Sequence, residues 1–192
     1  MQNAGQLDLL SSLTDLDVTR LLIADLYNGL DGMVARYRQL ADLSSSLGSE
    51  GSMLTGGQAS WAHWTEARSS FVQGNFAATV LLAQGLAEHL LAAYLDLQLP
   101  ANGLPERITF QETLRRCRSR DIISQSDEVD LRRLMDLRNP LSHFRSIDDP
   151  ANLTRRAIEN MVPAEEHLQR DATFAISMAV RLLALPAFRI GD

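Results

Sequence analysis

The run at residues 76–95, FAATVLLAQGLAEHLLAAYL, constrains the fold more than any other stretch of the chain. Its apolar residues are not confined to one stripe. Phe76, Val80, Ala83, Ala87, Leu90 and Tyr94 share one face of a helix, while Leu82, Leu86 and Ala93 lie elsewhere on it. A helix apolar nearly all round must be covered on most of its sides, by lipid or by other helices. Gln84, Gly85, Glu88 and His89 interrupt the run. A charge at that position is costly in lipid, so the pattern predicts the central helix of a globular bundle and no membrane span. Aromatic residues make up only 6% of the chain, Leu and Ala dominate, and no stretch alternates β-branched with polar residues. The predicted fold class is therefore all-α, an antiparallel helical bundle.

The flanking sequence divides into further helices. Thr14 is placed to cap a helix that runs to about residue 43, with Asp15 and Asp17 in its positive first turn. Ile23, Leu26, Leu30, Met33, Tyr37 and Leu40 form a narrow seam along it, suited to packing on the body or on a second subunit. Residues 44–60 are rich in Ser and Gly and read as a flexible linker. The expected division is residues 1–57, an N-terminal helix plus linker, and residues 58–192, the bundle. Within the bundle, helices are expected at 61–72, 76–98 and 109–120, with a loop at 100–105. A fifth is expected from Ser126-Asp127-Glu128 onward, and a last one over 150–185, kinked near Pro163. Pro140 interrupts the apolar stripe of the fifth. A proline inside a helix loses an amide bond and crowds the preceding turn, so that helix is expected to kink or end near Arg138.

Charge narrows the function. The net charge of -6 argues against general coating of nucleic acid, which needs a basic surface. All 18 basic residues are Arg, and 11 of them fall within residues 107–156 against 8 acids there. Paired arginines such as Arg115/Arg116 and Arg132/Arg133 also suit solvated helix faces. Cys117 is the single cysteine, which excludes an intrachain disulfide. Acidic residues at 8, 15 and 17 do not resemble a signal peptide, and a cytoplasmic location is expected. His63 reads as a packing residue between two tryptophans, His89 as a core residue and His167 as solvent-facing. No metal-ligand set, phosphate loop or nucleophile elbow is present, so no metal or cofactor is expected.

The stretch Arg138-Asn139-Pro140-Leu141-Ser142-His143 carries the chemistry. Arg is a permanent cation that forks onto phosphate, and His exchanges a proton near neutral pH. RNA cleavage by its own 2′-hydroxyl needs a general base or acid and a cation for the charge that builds on phosphorus. His143 suits the first role and Arg138 the second, with Asn139 to orient either or to cap a helix. On a straight helix the two lie about 140° apart. A bend at Pro140, or two subunits sharing one cleft, is then needed to bring such groups together. A structural reading stands beside this one: Arg138 paired with Asp136, and a His satisfied after a bend.

The segment 137–143, LRNPLSH, resembles the signature of the HEPN superfamily (higher eukaryotes and prokaryotes nucleotide-binding), Arg-x4-6-His with Asn often following the Arg. The Gly74-Asn75 turn and the Ala-rich helix after it are similar to the helix that precedes the motif in that family, and the likeness covers residues 61–185. It implies a helical bundle, a homodimer with facing motifs, and in many members a metal-independent endoribonuclease of toxin–antitoxin or other defence systems. Other members bind nucleotide, RNA or a protein without cleaving. By position, Arg138 and His143 match the catalytic pair and Asn139 the common third residue. Glu88, Arg133 and Arg145 are candidates for substrate contacts, and an antitoxin or regulator is an implied partner. One departure stands out: toxins paired with a minimal nucleotidyltransferase carry Tyr two residues after the His, where this chain has Arg145. A helical scaffold dimerising through the N-terminal seam is the blander alternative.

Overall fold

The computed structural model describes residues 13–99 and 104–190, which leaves most of the 100–105 loop and Asp8 outside the described residues. Among the described residues the chain is an all-α bundle: α1 (Asp15–Ser44), α2 (Gly57–Gln73), α3 (Phe76–Gln98), α4 (Phe110–Ser119), α5 (Gln125–Ser142), α6 (Leu153–Asn160) and α7 (Ala164–Leu183). α3 is the post at the centre. By length and composition it could cross a membrane, but α2, α4, α5 and α7 pack around it. Val80, Ala83, Leu86, Ala87, Leu90, Leu91 and Leu95 lose all contact with solvent. Opposite them lie Phe71 of α2, Leu114 of α4, Leu131 and Leu134 of α5 and Ile176 of α7. Each fully buried aliphatic side chain contributes about 1.5–3 kcal/mol over an exposed one.

Caps fix where the helices begin. Thr14 and Asp17 form a reciprocal box at α1, as do Ser124 and Asp127 at α5. α5 therefore starts two residues earlier than its acidic cluster suggests. Asp127 is buried, and its carboxylate has partners for both oxygens. Oδ2 accepts from Ser124 N (2.8 Å) and Ser124 Oγ (2.6 Å), while Oδ1 meets Arg181 of α7 at 2.6 Å. Arg181 also reaches Asp130 at 2.8 Å, so one guanidinium ties two turns of α5 to α7.

Four sequence expectations are corrected. The segment read as a linker is held against the bundle: Ser52 Oγ donates to Leu183 O (2.7 Å), Thr55 Oγ1 to Leu90 O (2.8 Å), and Ser52 bridges Arg189. Its small polar residues supply donors close to helix backbones, a use that composition does not separate from flexibility. The last expected helix is two. Met161 takes a left-handed conformation (φ 51°) that closes α6, and α7 starts after Pro163. His167 is buried, because it falls in phase with Asp171 and Ala175 on the inner face of α7 while Glu165 and Glu166 point out. His89 is exposed, its ring stacked on that of His63 in α2.

Two measurements probe this core. Leu90→Ala removes a fully buried side chain from α3 and is expected to lower unfolding free energy by about 2–5 kcal/mol in a urea titration. Burial pushes the Cys117 thiol up to about 12. Native protein should therefore resist a disulfide reagent at pH 8 that titrates one thiol after unfolding. Between the ordinary thiol range and pH 12 the unfolded chain holds fewer protons than the native one, so stability should fall as pH rises through that window.

Candidate functional site

α5 does not stop at Arg138. It continues through Pro140 to Ser142, with Leu137 and Leu141 packed on the core on either side of the proline. Pro140 lies three residues from the end, so the helix forgoes one amide bond, the one to Asp136 O, and packing outweighs that loss. Asn139 O accepts from His143 N (3.0 Å) and closes the last turn. The expected break is thus displaced by four residues, to the C-cap.

That displacement brings the two functional groups together within one chain. His143 has left helical angles (φ -131°, ψ 136°), and its imidazole returns along the helix to Arg138. Arg138 Nη1 lies 3.4 Å from His143 Nε2. A guanidinium has no lone pair to offer, so it donates and Nε2 accepts, which places the ring proton on Nδ1. No bend at the proline and no second subunit is required for the approach. Among the described residues no carboxylate forms an ion pair with Arg138, Asp136 included. His143 is exposed and Arg138 half-buried, so both remain open to a ligand.

Arg138 and Asn139 form one wall of a cleft of about 770 Å³ between α3, α4 and α5, within the size range of small-molecule sites. Its floor is the side of α3 where the buried Gln84 and the half-buried Glu88 and Ala92 recur every four residues. The opposite wall is the start of α4 and the residues before it, Glu106 to Thr109. Thr109 caps α4 by accepting from Glu112 N (3.3 Å), and the helix turns its positive end toward the cleft. Phe110, Ile108 and Met135 supply apolar lining.

The substrate candidates separate. Glu88 lies in the cleft with Arg138 and Asn139. Arg145 does not line it, since its guanidinium turns to Asp149 (3.6 Å). Arg133 lies over the ring of Phe174 on α7, 4.2 Å from its centroid, and packs rather than faces the cleft. Most other arginines of the basic segment are neutralised locally. Arg115 and Arg116 share Glu112, Arg118 meets Asp121, Arg132 meets Glu128 and Arg156 meets Asp171. The hydrogen bonds from Arg115 and Arg116 hold the Glu112 carboxyl down at about 2.

Sequence reasoning missed Arg107. It is exposed, lines the cleft facing Arg138 and has no carboxylate partner among the described residues. Its only sequence signal is membership of the basic segment. His63 and His89 form a further unpredicted feature: their rings stack at 5.2 Å beside the cleft, and His63 Nδ1 donates to Ala59 O at 2.7 Å. Gly85 permits this, because a Cβ there would come within 2.4 Å of the His63 ring. Among the described residues no three His, Cys, Asp or Glu side chains gather as a metal set.

The Arg138 contact has a spectroscopic signature. Neutral His143 should show the Nδ1–H tautomer in ring ¹⁵N spectra, and Arg138→Ala should return it to a mixture weighted as in a free imidazole. An unchanged spectrum would refute the contact. The chain matches no protein-family model, no curated protein and no solved structure.

Proposed function

We propose that the protein is a metal-independent endoribonuclease of the HEPN type, acting as a defence or toxin effector in the cytoplasm. The observation that carries this reading is the 3.4 Å approach of Arg138, which lines the cleft with Asn139 and Glu88, to His143, which lies outside that lining. The chemistry follows from these groups. When Arg138 swings from His143 to the phosphate, Nε2 of His143 is freed to take the proton of a ribose 2′-hydroxyl, the 2′-oxygen attacks the adjacent phosphorus, and the bond to the 5′-oxygen breaks. The leaving oxygen gains a proton from solvent. The products are a 2′,3′-cyclic phosphate and a free 5′-hydroxyl. Arg138 donates to the non-bridging oxygens as charge builds on them, and Asn139 orients the phosphate. Arg107 and the positive end of α4 attract the neighbouring phosphate. Glu88 accepts from an exocyclic amine of the base.

A catalytically silent binding module for a nucleotide or RNA is the second reading. The cleft favours it by its size, which accommodates a single nucleotide, and by its mixed lining of two arginines and two glutamates. As in the resemblance, a homodimer and a neutralising protein partner belong to the first reading.

Cleavage of a mixed RNA pool in excess EDTA separates the two. His143→Ala should lose about 10²–10⁴-fold and Arg138→Ala about 10²–10³-fold, while Arg145→Ala stays near wild type. A 2′-deoxy substitution at the scissile nucleotide should abolish the cut. Equal activity in all variants would overturn the catalytic assignment. RNA binding that Arg138→Ala and Arg107→Ala weaken, without any cleavage by wild type, would transfer the protein to the second reading.

A further inference from the structure

α1 has two faces, and the bundle uses one. From Gly29 onward Met33, Arg36, Leu40 and Leu43 turn to the body: Leu40 is 3% exposed, and Arg36 Nε donates to Val72 O at 2.9 Å while stacking over Phe76. Roughly 100° round the helix runs a second stripe. Leu16, Ile23, Leu30 and Tyr37 recur every seven residues along it, with Tyr27 and Val34 beside them. All six are exposed: Ile23 62%, Tyr27 77%, Tyr37 63%. The first half of α1 touches no other element on either face, since nearly all of residues 15–28 are exposed.

We propose that this stripe is an interface between two copies of the chain, paired antiparallel through α1. Three observations select that occupant. The stripe is self-complementary. An antiparallel pair centred between Leu26 and Tyr27 sets Leu16 against the partner's Tyr37, Ile23 against the partner's Leu30 and Tyr27 against the partner's Leu26. The charges agree with the direction. Asp15 and Asp17 lie at one end of α1 and the exposed Arg38 at the other, and the same register sets Asp15 beside the partner's Arg38, as the antiparallel dipoles also favour. A parallel pair would align like charges. The area suffices: the exposed parts of the stripe amount to about 700 Å² per chain, near the ~800 Å² a side of stable interfaces. The helix carries five aspartates against three arginines, which disfavours an anionic membrane surface as the occupant.

α1 packs chiefly on α2 and α7, whereas the Arg138 cleft lies among α3, α4 and α5. Pairing through α1 therefore leaves each cleft open, and it is a different contact from the facing-motif pairing that the first reading carries over from the resemblance.

Sedimentation equilibrium of the full chain at micromolar concentration tests it. Wild type should be a dimer. Ile23→Asp/Leu30→Asp, at two positions exposed in the single chain, should be a folded helical monomer whose melting temperature, unlike that of wild type, does not depend on protein concentration. For the register, chains carrying Leu16→Cys and Tyr37→Cys should form an intermolecular disulfide when mixed and not when either is alone; Cys117 is buried. A monomeric wild type, or a dimer that survives the double substitution, would overturn the interface. Self-crosslinking of Leu16→Cys would overturn the antiparallel register. A monomer that co-sediments with phosphatidylglycerol vesicles would assign the stripe to lipid instead.

Discussion

Covering α3 is the demand that the rest of the bundle satisfies. A 23-residue helix with apolar groups on most of its circumference cannot be stable with one neighbour. Four helices supply the cover, and their positions follow from where α3 is most apolar. The side left open is the side where α3 itself turns polar, at Glu88 and His89. Core and cleft are therefore two consequences of one pattern. The same residues that argue against a membrane span mark the floor on which a ligand would rest.

The second constraint is the anchoring of α5. Its far end carries Arg138, Asn139 and His143, and its near end is fixed by the buried Asp127 with Ser124 and Arg181. A buried carboxylate is costly unless each oxygen is paired, and here each is. The helix is thus tied to α7 at one end and packed by Leu131 and Leu134 in the middle. Its last turn, held by Leu137 and Leu141, presents the candidate groups. Pro140 contributes by ending the ladder soon after, so that His143 adopts extended angles and turns back on Arg138. A His at the same position in a continued helix would point about 140° away.

Legibility in the sequence followed the strength of local signals. Capping residues and the all-round apolar run have short-range causes, and α1, α3 and α4 lie within a residue or two of where the residues place them. Failures arose where tertiary contacts decide. Residues 44–60 look like a linker because Ser and Gly are common to flexible chains and to hydrogen-bonded turns; only Leu183 O and Leu90 O distinguish the two. Pro140 reads as a helix end from propensity, yet Leu137 and Leu141 hold the helix past it. His89 and His167 were exchanged between core and surface, because the phase of a helix relative to its neighbours is invisible when many of its faces are apolar. In the candidate site, Arg138, Asn139 and Glu88 share one cleft, but Arg107 carries no local mark that separates it from the paired arginines around it.

That separation bears on how an acidic protein could hold an anionic polymer. A net charge of -6 repels nucleic acid at long range, and the apparent basic segment offsets little, since most of its guanidiniums are spent on carboxylates three or four residues away. Such exposed pairs add little stability, but they cancel the field beyond a Debye length. What remains attractive is local: Arg107 and Arg138 across the cleft, with the first turn of α4 between them. A ligand with one or two phosphates gains there what a long duplex would lose elsewhere on the surface. For the RNA proposed as substrate, the electrostatics favour short or single-stranded segments that enter the cleft over a duplex that lies along the molecule.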